Sequence, residues 1–153
     1  MSKTKILMVC LGNICRSPLA EGILRYKLDS ALFEVDSTGT GHWHVGNPPD
    51  PRSVAVAKKN GLDISGLRGR QFSHQDFVNF DHIYVMDSSN LENVLHLAQN
   101  QAEKEKVSMI LDTLFPGEKV DVPDPYLGTD DGFDRVYDML EQACDTLSKS
   151  LQP

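Results

Sequence analysis

Cysteine is scarce in this sequence, and the three present, Cys10, Cys15 and Cys144, are an odd number. A disulfide framework of the kind that staples small secreted domains is therefore not the basis of the fold, and reduced thiols in a cytoplasmic compartment are expected. Positive charge is short as well: 15 Lys and Arg stand against 22 Asp and Glu, a formal net charge of −7. Nucleic acid and anionic membranes need broad basic surface, so neither is an expected partner, although one small positive pocket remains compatible. No apolar run approaches the roughly 20 residues that span a bilayer. The run in "MSKTKILMVCLG" is broken by Gly12 and Asn13 without a following cleavage pattern, so it is not expected to act as a signal peptide. The histidines lack ligand spacing: His42-x-His44 comes nearest, and no further ligands accompany it, so neither a metal nor a cofactor is expected. A Gly-x4-Gly-Lys-Ser/Thr nucleotide cradle is also missing. Repeats, low-complexity stretches and linkers are absent, and the length suits one domain over residues 1–153 with a core of its own.

What the chain does have is alternating strand and helix signals. Lys5 to Cys10, "KILMVC", is a continuous apolar run suited to a strand buried on both faces of a parallel sheet. After a Gly/Asn loop, Leu19/Ala20, Ile23/Leu24 and Leu28 repeat at helical spacing, with Ser17 as the expected N-cap and Pro18 in the first helical position. Phe33 to Gly39 reads as a second strand, completing a βαβ unit. Asp50-Pro51 offers another cap-and-proline start for a short helix closed by Gly61. His82 to Asp87 and Val107 to Leu111 read as third and fourth strands, with a helix between them from "SSNLENVLHLAQNQ". A polar stretch over 116–132 leads into a long final helix with an apolar stripe of Phe133, Val136/Tyr137, Leu140, Cys144, Leu147 and Leu151. The expectation is an α/β domain with a mostly parallel sheet.

In such sheets ligands bind beyond the carboxyl ends of the strands, and residues 10–17, "CLGNICRS", occupy that place after the first strand. A short loop entering a helix turns successive backbone N–H groups inward as an anion nest, and the helix dipole adds positive potential. Leu11, Gly12, Asn13, Ile14, Cys15, Arg16 and Ser17 would form that cradle. Gly12 relieves steric limits on the turn, and Asn13 tolerates the left-handed region. Arg16 supplies a planar fork for two oxygens of a dianion. A thiol at Cys10, beneath the anion, is favoured as thiolate by the same amides, and Ser17 could donate a further hydrogen bond to it. The pattern describes a cradle for a tetrahedral oxyanion with a nucleophile in its floor.

Cys10-x5-Arg16 followed by Ser17-Pro18 resembles the low-molecular-weight protein tyrosine phosphatases, and the resemblance continues through "STGT", Trp43, "DPRS", "FDHIYVMDSSN" and "VPDPYLG". It implies a four-stranded parallel twisted sheet of strand order 2-1-3-4 with helices on both faces. It also implies hydrolysis of protein phosphotyrosine and small aryl phosphates through a cysteinyl-phosphate. In that scheme Cys10 is the nucleophile and Arg16 and the 11–16 amides bind phosphate, with no metal required. Asp124 of the Asp-Pro-Tyr triplet is the general acid and then base, stiffened by Pro123 and Pro125. Inorganic phosphate or another tetrahedral oxyanion is the implied ligand. Trp43 and Tyr126 become candidates to flank an aryl ring at the rim, and Cys15 a redox partner that traps oxidised Cys10 as a disulfide. Oligomeric state is open.

Two positions depart from the family pattern. Leu67 stands where many relatives have a histidine that holds the loop asparagine, and Leu127 follows Tyr126 where two aromatic residues are common. Asp87, at the expected end of the third strand, is either a support for the site or a helix cap. A thiol-dependent arsenate reductase is the rival enzyme, but it needs a relay of cysteines, and Cys144 falls on a helix stripe expected in the core. A catalytically silent phosphate-binding module would need neither Cys10 nor Asp124. Ile14, where phosphoarginine-directed relatives tend to carry threonine, points towards phosphotyrosine.

Overall fold

In a computed structural model, which describes residues 2–152, the first apolar run forms β1 (Thr4–Cys10), at the heart of a parallel sheet. It pairs on one side with β2 (Phe33–Gly39) and on the other with β3 (His82–Val85), which pairs with β4 (Val107–Met109). The order is therefore β2-β1-β3-β4. Alternation along β1 divides the core. Ile6, Met8 and Cys10 face α1 (Arg16–Lys27) and α6 (Asp130–Leu151), while Leu7 and Val9 face Phe77 of α3 (Gln75–Asn79) and Val94 of α4 (Ser88–Leu97). Ile6 to Val9 are fully buried, as a strand covered on both faces requires.

The helix α2 (Pro51–Lys59) starts as expected, with the Asp50 carboxylate accepting from Arg52 N and Pro51 at the first helical position. The apolar stripe of α6 is buried from Phe133 to Leu147, with Cys144 fully enclosed. Several expected boundaries differ. The third strand ends at Val85, and the fourth gives way after Met109 to a 3-10 turn over Ile110–Thr113. The single helix expected after β3 is split into α4 and α5 (Gln101–Glu105) because Asn100 starts a new cap, its side chain accepting from Glu103 N.

The first helix begins two residues earlier than expected and without a side-chain cap. Cys15 is its N-cap residue, and Ser17 lies inside the first turn. The Ser17 hydroxyl instead turns inward, 3.0 Å from Cys10 Sγ and 3.3 Å from the Thr38 carbonyl. A partner at the end of β1 has outcompeted the cap.

Candidate active site

The loop from Leu11 to Cys15 leaves β1 beside the end of β2, where Cys10 is in register with Gly39. A Cβ on Gly39 would stand 2.7 Å from Leu11 O and 3.0 Å from Asn13 N, so the loop lies against bare backbone there. The left-handed turn is made by Asn13, at φ 58°, rather than by Gly12. Gly12 is constrained by space instead, since a Cβ would meet His44 Cδ2 at 3.1 Å.

Asn13 is tied on three sides. Its Nδ2 donates to Ser17 Oγ at 2.8 Å and to Ser37 Oγ at 3.0 Å, and its Oδ1 accepts from the Arg70 backbone N–H at 3.0 Å. The absence of a histidine at Leu67 therefore leaves the asparagine fully engaged. Ser37 Oγ donates in turn to Glu21 Oε1 at 2.7 Å, and Glu21 also pairs with Arg25. Burial pushes the Glu21 carboxyl up, against the opposing influence of Ser37 and Arg25. A buried line of polar groups thus runs from Glu21 through Ser37, Asn13 and Ser17 to Cys10. Such a line rigidifies the loop because every member has its partner.

Cys10 Sγ receives the Asn13 backbone N–H at 3.3 Å and has Ser17 Oγ at 3.0 Å. The serine hydroxyl carries a single hydrogen. It can serve either Thr38 O or a sulfur anion, and with a protonated thiol the sulfur donates instead. Arg16, only 2% exposed, is held by Nη1 to Asp87 Oδ2 at 2.6 Å and to Val122 O at 2.9 Å. Its Nη2 lies 3.7 Å from Asp124 Oδ2. Burial opposes the Arg16 charge, but Cys10, then Asp87 and Asp124, outweigh it and keep the guanidinium firmly protonated. Asp87 does both things left open for it, since its other oxygen accepts from Asn90 N at 2.8 Å and caps α4.

Asp124 arrives from the far end of the chain. Val122 N donates to Met86 O at 2.8 Å just past β3, which brings the following residues over the loop. There Asp124 Oδ1 accepts from Tyr126 N at 3.0 Å in a local turn, leaving the carboxylate at the surface. Arg52 of α2 holds the same segment, donating to Tyr126 O at 2.8 Å and Gly128 O at 3.2 Å.

Cys10, Arg16 and Asp124 line one cavity of about 170 Å³, together with Leu11, Gly12, Ile14 and Cys15. Trp43 and Tyr126 stand at its mouth, 63% and 42% exposed, so the lone tryptophan is not core. Leu127 is 95% exposed and takes no part in the lining. His44, singled out in the sequence only as a poor metal ligand, also lines the cavity, its ring 6.2 Å from that of Tyr126. No local pattern distinguishes it or Glu21; Ser37 and Gly39 fall within "STGT", to which the sequence attached no site role. Burial pushes the Cys15 thiol up to about 12, with Asp50, Cys10 and Asp124 adding to the effect. Cys144 is enclosed in the core and its thiol is pushed up by burial.

The family model described as low molecular weight phosphotyrosine protein phosphatase matches residues 5–153. The Schizosaccharomyces pombe low molecular weight phosphotyrosine protein phosphatase is 45% identical over 152 residues, covering 96% of each chain. Among solved structures, a protein tyrosine phosphatase from Entamoeba histolytica with Hepes in the active site superimposes with a TM-score of 0.91 at 37% identity, covering 97% of each chain. The tyrosine phosphatase Wzb from Escherichia coli K30, in complex with sulphate, gives a TM-score of 0.85 at 34% identity, covering 99% of this chain and all of that one.

Proposed function

The chain belongs to the low molecular weight phosphotyrosine protein phosphatase family and is a protein tyrosine phosphatase; from that premise we propose that Cys10, Arg16 and Asp124 carry its reaction by double displacement. The Cys10 thiolate attacks phosphorus in line, the bond from phosphorus to the phenolic oxygen breaks, and protonated Asp124 gives its proton to the departing phenol. The equatorial oxygens rest on the 11–16 amides and the Arg16 fork, which meet the charge of the transition state without having to reorganise. Water then attacks the cysteinyl-phosphate while the Asp124 carboxylate takes its proton. The sulfur–phosphorus bond breaks, returning thiolate and inorganic phosphate.

One observation carries this reading: nucleophile, guanidinium and carboxylic acid, drawn from two ends of the chain, converge on one cavity. The 3.0 Å approach of Ser17 Oγ supports a thiolate as attacker and as leaving group. The sulphate complex of the E. coli relative is in keeping with a tetrahedral oxyanion as ligand. Trp43 and Tyr126 at the rim suit an aryl ring, with a phosphotyrosine protein as partner. Residues 1–153 act as one phosphatase domain, in a reducing compartment that keeps Cys10 and Cys15 as thiols.

Hydrolysis of p-nitrophenyl phosphate by wild type, Cys10→Ser and Asp124→Ala tests the assignment. Cys10→Ser should abolish turnover, and Asp124→Ala should slow phosphoenzyme formation and its hydrolysis by about 10²–10⁴-fold. Undiminished turnover by Cys10→Ser would overturn the mechanism.

A further inference from the structure

Beside the catalytic cavity lies a second hollow of about 410 Å³, and the two share a wall made by Leu11 and Trp43. It is also lined by the buried Phe72, by Leu97 at the end of α4, and by Asn93 and His96. Leu11, Trp43 and Leu97 are 41%, 63% and 46% exposed. Three large apolar side chains left in water around one depression are uncommon on a small soluble surface and mark a place where something docks. No Asp, Glu, Lys or Arg is among the described residues that line it. The catalytic cavity, by contrast, is lined by Arg16 and Asp124.

We propose that this hollow is a second substrate subsite, which takes an uncharged, large apolar side chain next to the phosphotyrosine in the same substrate chain. The inference rests on the phosphatase reading above. Continuity with the catalytic cavity identifies the occupant: a chain whose phosphotyrosine lies between Trp43 and Tyr126 must pass over the shared wall of Leu11 and Trp43 if it leaves on that side. Trp43 then serves both subsites, one edge of its indole towards the aryl phosphate and the other towards the neighbouring side chain. The hollow is wide enough for a leucine or phenylalanine, and a charged side chain entering it would lose water without meeting an Asp, Glu, Lys or Arg, with His96 as the one titratable group among the described residues of the lining. Selection there acts on the substrate chain and leaves a bare aryl phosphate untouched.

The test compares phosphotyrosine peptides with leucine, phenylalanine, alanine or aspartate at each flanking position in turn, against wild type and Leu97→Asp, with p-nitrophenyl phosphate as the control. Leu97 is outside the catalytic cavity, and its exposure makes the substitution compatible with folding. Wild type should favour leucine or phenylalanine over alanine at one flanking position by about five- to tenfold in kcat/KM, the scale set by partly burying one such side chain. Leu97→Asp should erase that preference while hydrolysing p-nitrophenyl phosphate like wild type. A wild type indifferent to the flanking residue, or a preference that survives Leu97→Asp, overturns the subsite. If wild type leaves p-nitrophenyl phosphate intact, it is the phosphatase reading that fails. A preference that disappears together with p-nitrophenyl phosphate turnover in Leu97→Asp also counts against the subsite, because it shows damage to the catalytic cavity.

Discussion

Replacing Asp87 by asparagine measures how far the proposed phosphate cradle depends on a counter-charge held behind it. Asp87 Oδ2 receives Arg16 Nη1 at 2.6 Å, and the two side chains are 18% and 2% exposed. Its Oδ1 accepts from Asn90 N at 2.8 Å, and the Asp87 backbone N–H donates back to Asn90 Oδ1 at 3.2 Å, closing a capping box. Asparagine caps about as well as aspartate, so Asp87→Asn removes the charge and keeps the cap, whereas Asp87→Ala removes both. Breaking a buried ion pair from one side costs about 3–5 kcal/mol. Arg16 retains the Val122 carbonyl at 2.9 Å and Asp124 at 3.7 Å, and Asp87 is itself partly solvated. The cost should therefore lie below that range, at about 2–3 kcal/mol for Asp87→Asn, with about 1 kcal/mol more for Asp87→Ala. Urea unfolding reads both as shifts of midpoint at constant slope. Inorganic phosphate should narrow the deficit, because the bound anion supplies Arg16 with the missing negative charge and stabilises the folded state by mass action. An Asp87→Asn protein within about 0.5 kcal/mol of wild type, or a deficit that phosphate leaves unchanged, would show that the pair does not organise the site.

Arg52→Ala should loosen the Asp124 segment by removing its bonds to Tyr126 O and Gly128 O, lowering kcat for p-nitrophenyl phosphate by about three- to tenfold; an unchanged kcat would show that the segment is held without it. Cys15, with its thiol pushed up to about 12, stays protonated at neutral pH. Iodoacetate should therefore alkylate Cys10 and spare Cys15, and mass mapping of Cys15 as the first site labelled would contradict this. Mild peroxide should convert Cys10 to the sulfenic acid, which condenses with the Cys15 thiol to a disulfide and water; a digest showing only over-oxidised Cys10 would count against that pairing. Burial works against the Asp50 carboxylate, but two hydrogen bonds and the charge of Arg52 prevail and hold it below its ordinary value of 3.8. Stability from a carboxyl lowered on folding is fully present above 3.8 and is lost as pH falls through the lower folded value. The stability gap between wild type and Asp50→Asn should accordingly be constant at neutral and mildly acid pH and shrink only below 3.8; a gap that shrinks already above pH 5 would refute the assignment.

The strands and most helices were legible because their signals are short-range. An unbroken apolar run at β1, helical periodicity after it and the Asp50-Pro51 start all act within a few residues, and the structure reproduces them. Phe33 to Gly39 agrees residue for residue. The misassigned features were those where a local preference met a distant partner. Ser17 has the right chemistry for a cap, yet Cys10 and Thr38 claim its hydroxyl once β1 and β2 lie side by side. The short α3 was missed altogether, its buried Phe77 and Asp76 giving too few turns for a periodic signal.

By itself, the order of residues from Lys5 to Leu28 determined that a thiol and a guanidinium would stand at the two ends of a short loop between a strand and a helix, because the apolar run, the Gly/Asn stretch and the helical periodicity are all local signals. Folding decided the rest of the site. Asp124 is brought to the mouth by Val122 bonding to Met86 and to Arg16, Asn13 is locked by Ser37 and Arg70, and the loop lies close because residue 39 has no side chain. These contacts join segments far apart in sequence, and their geometry exists only once the sheet has aligned the carboxyl ends of its strands.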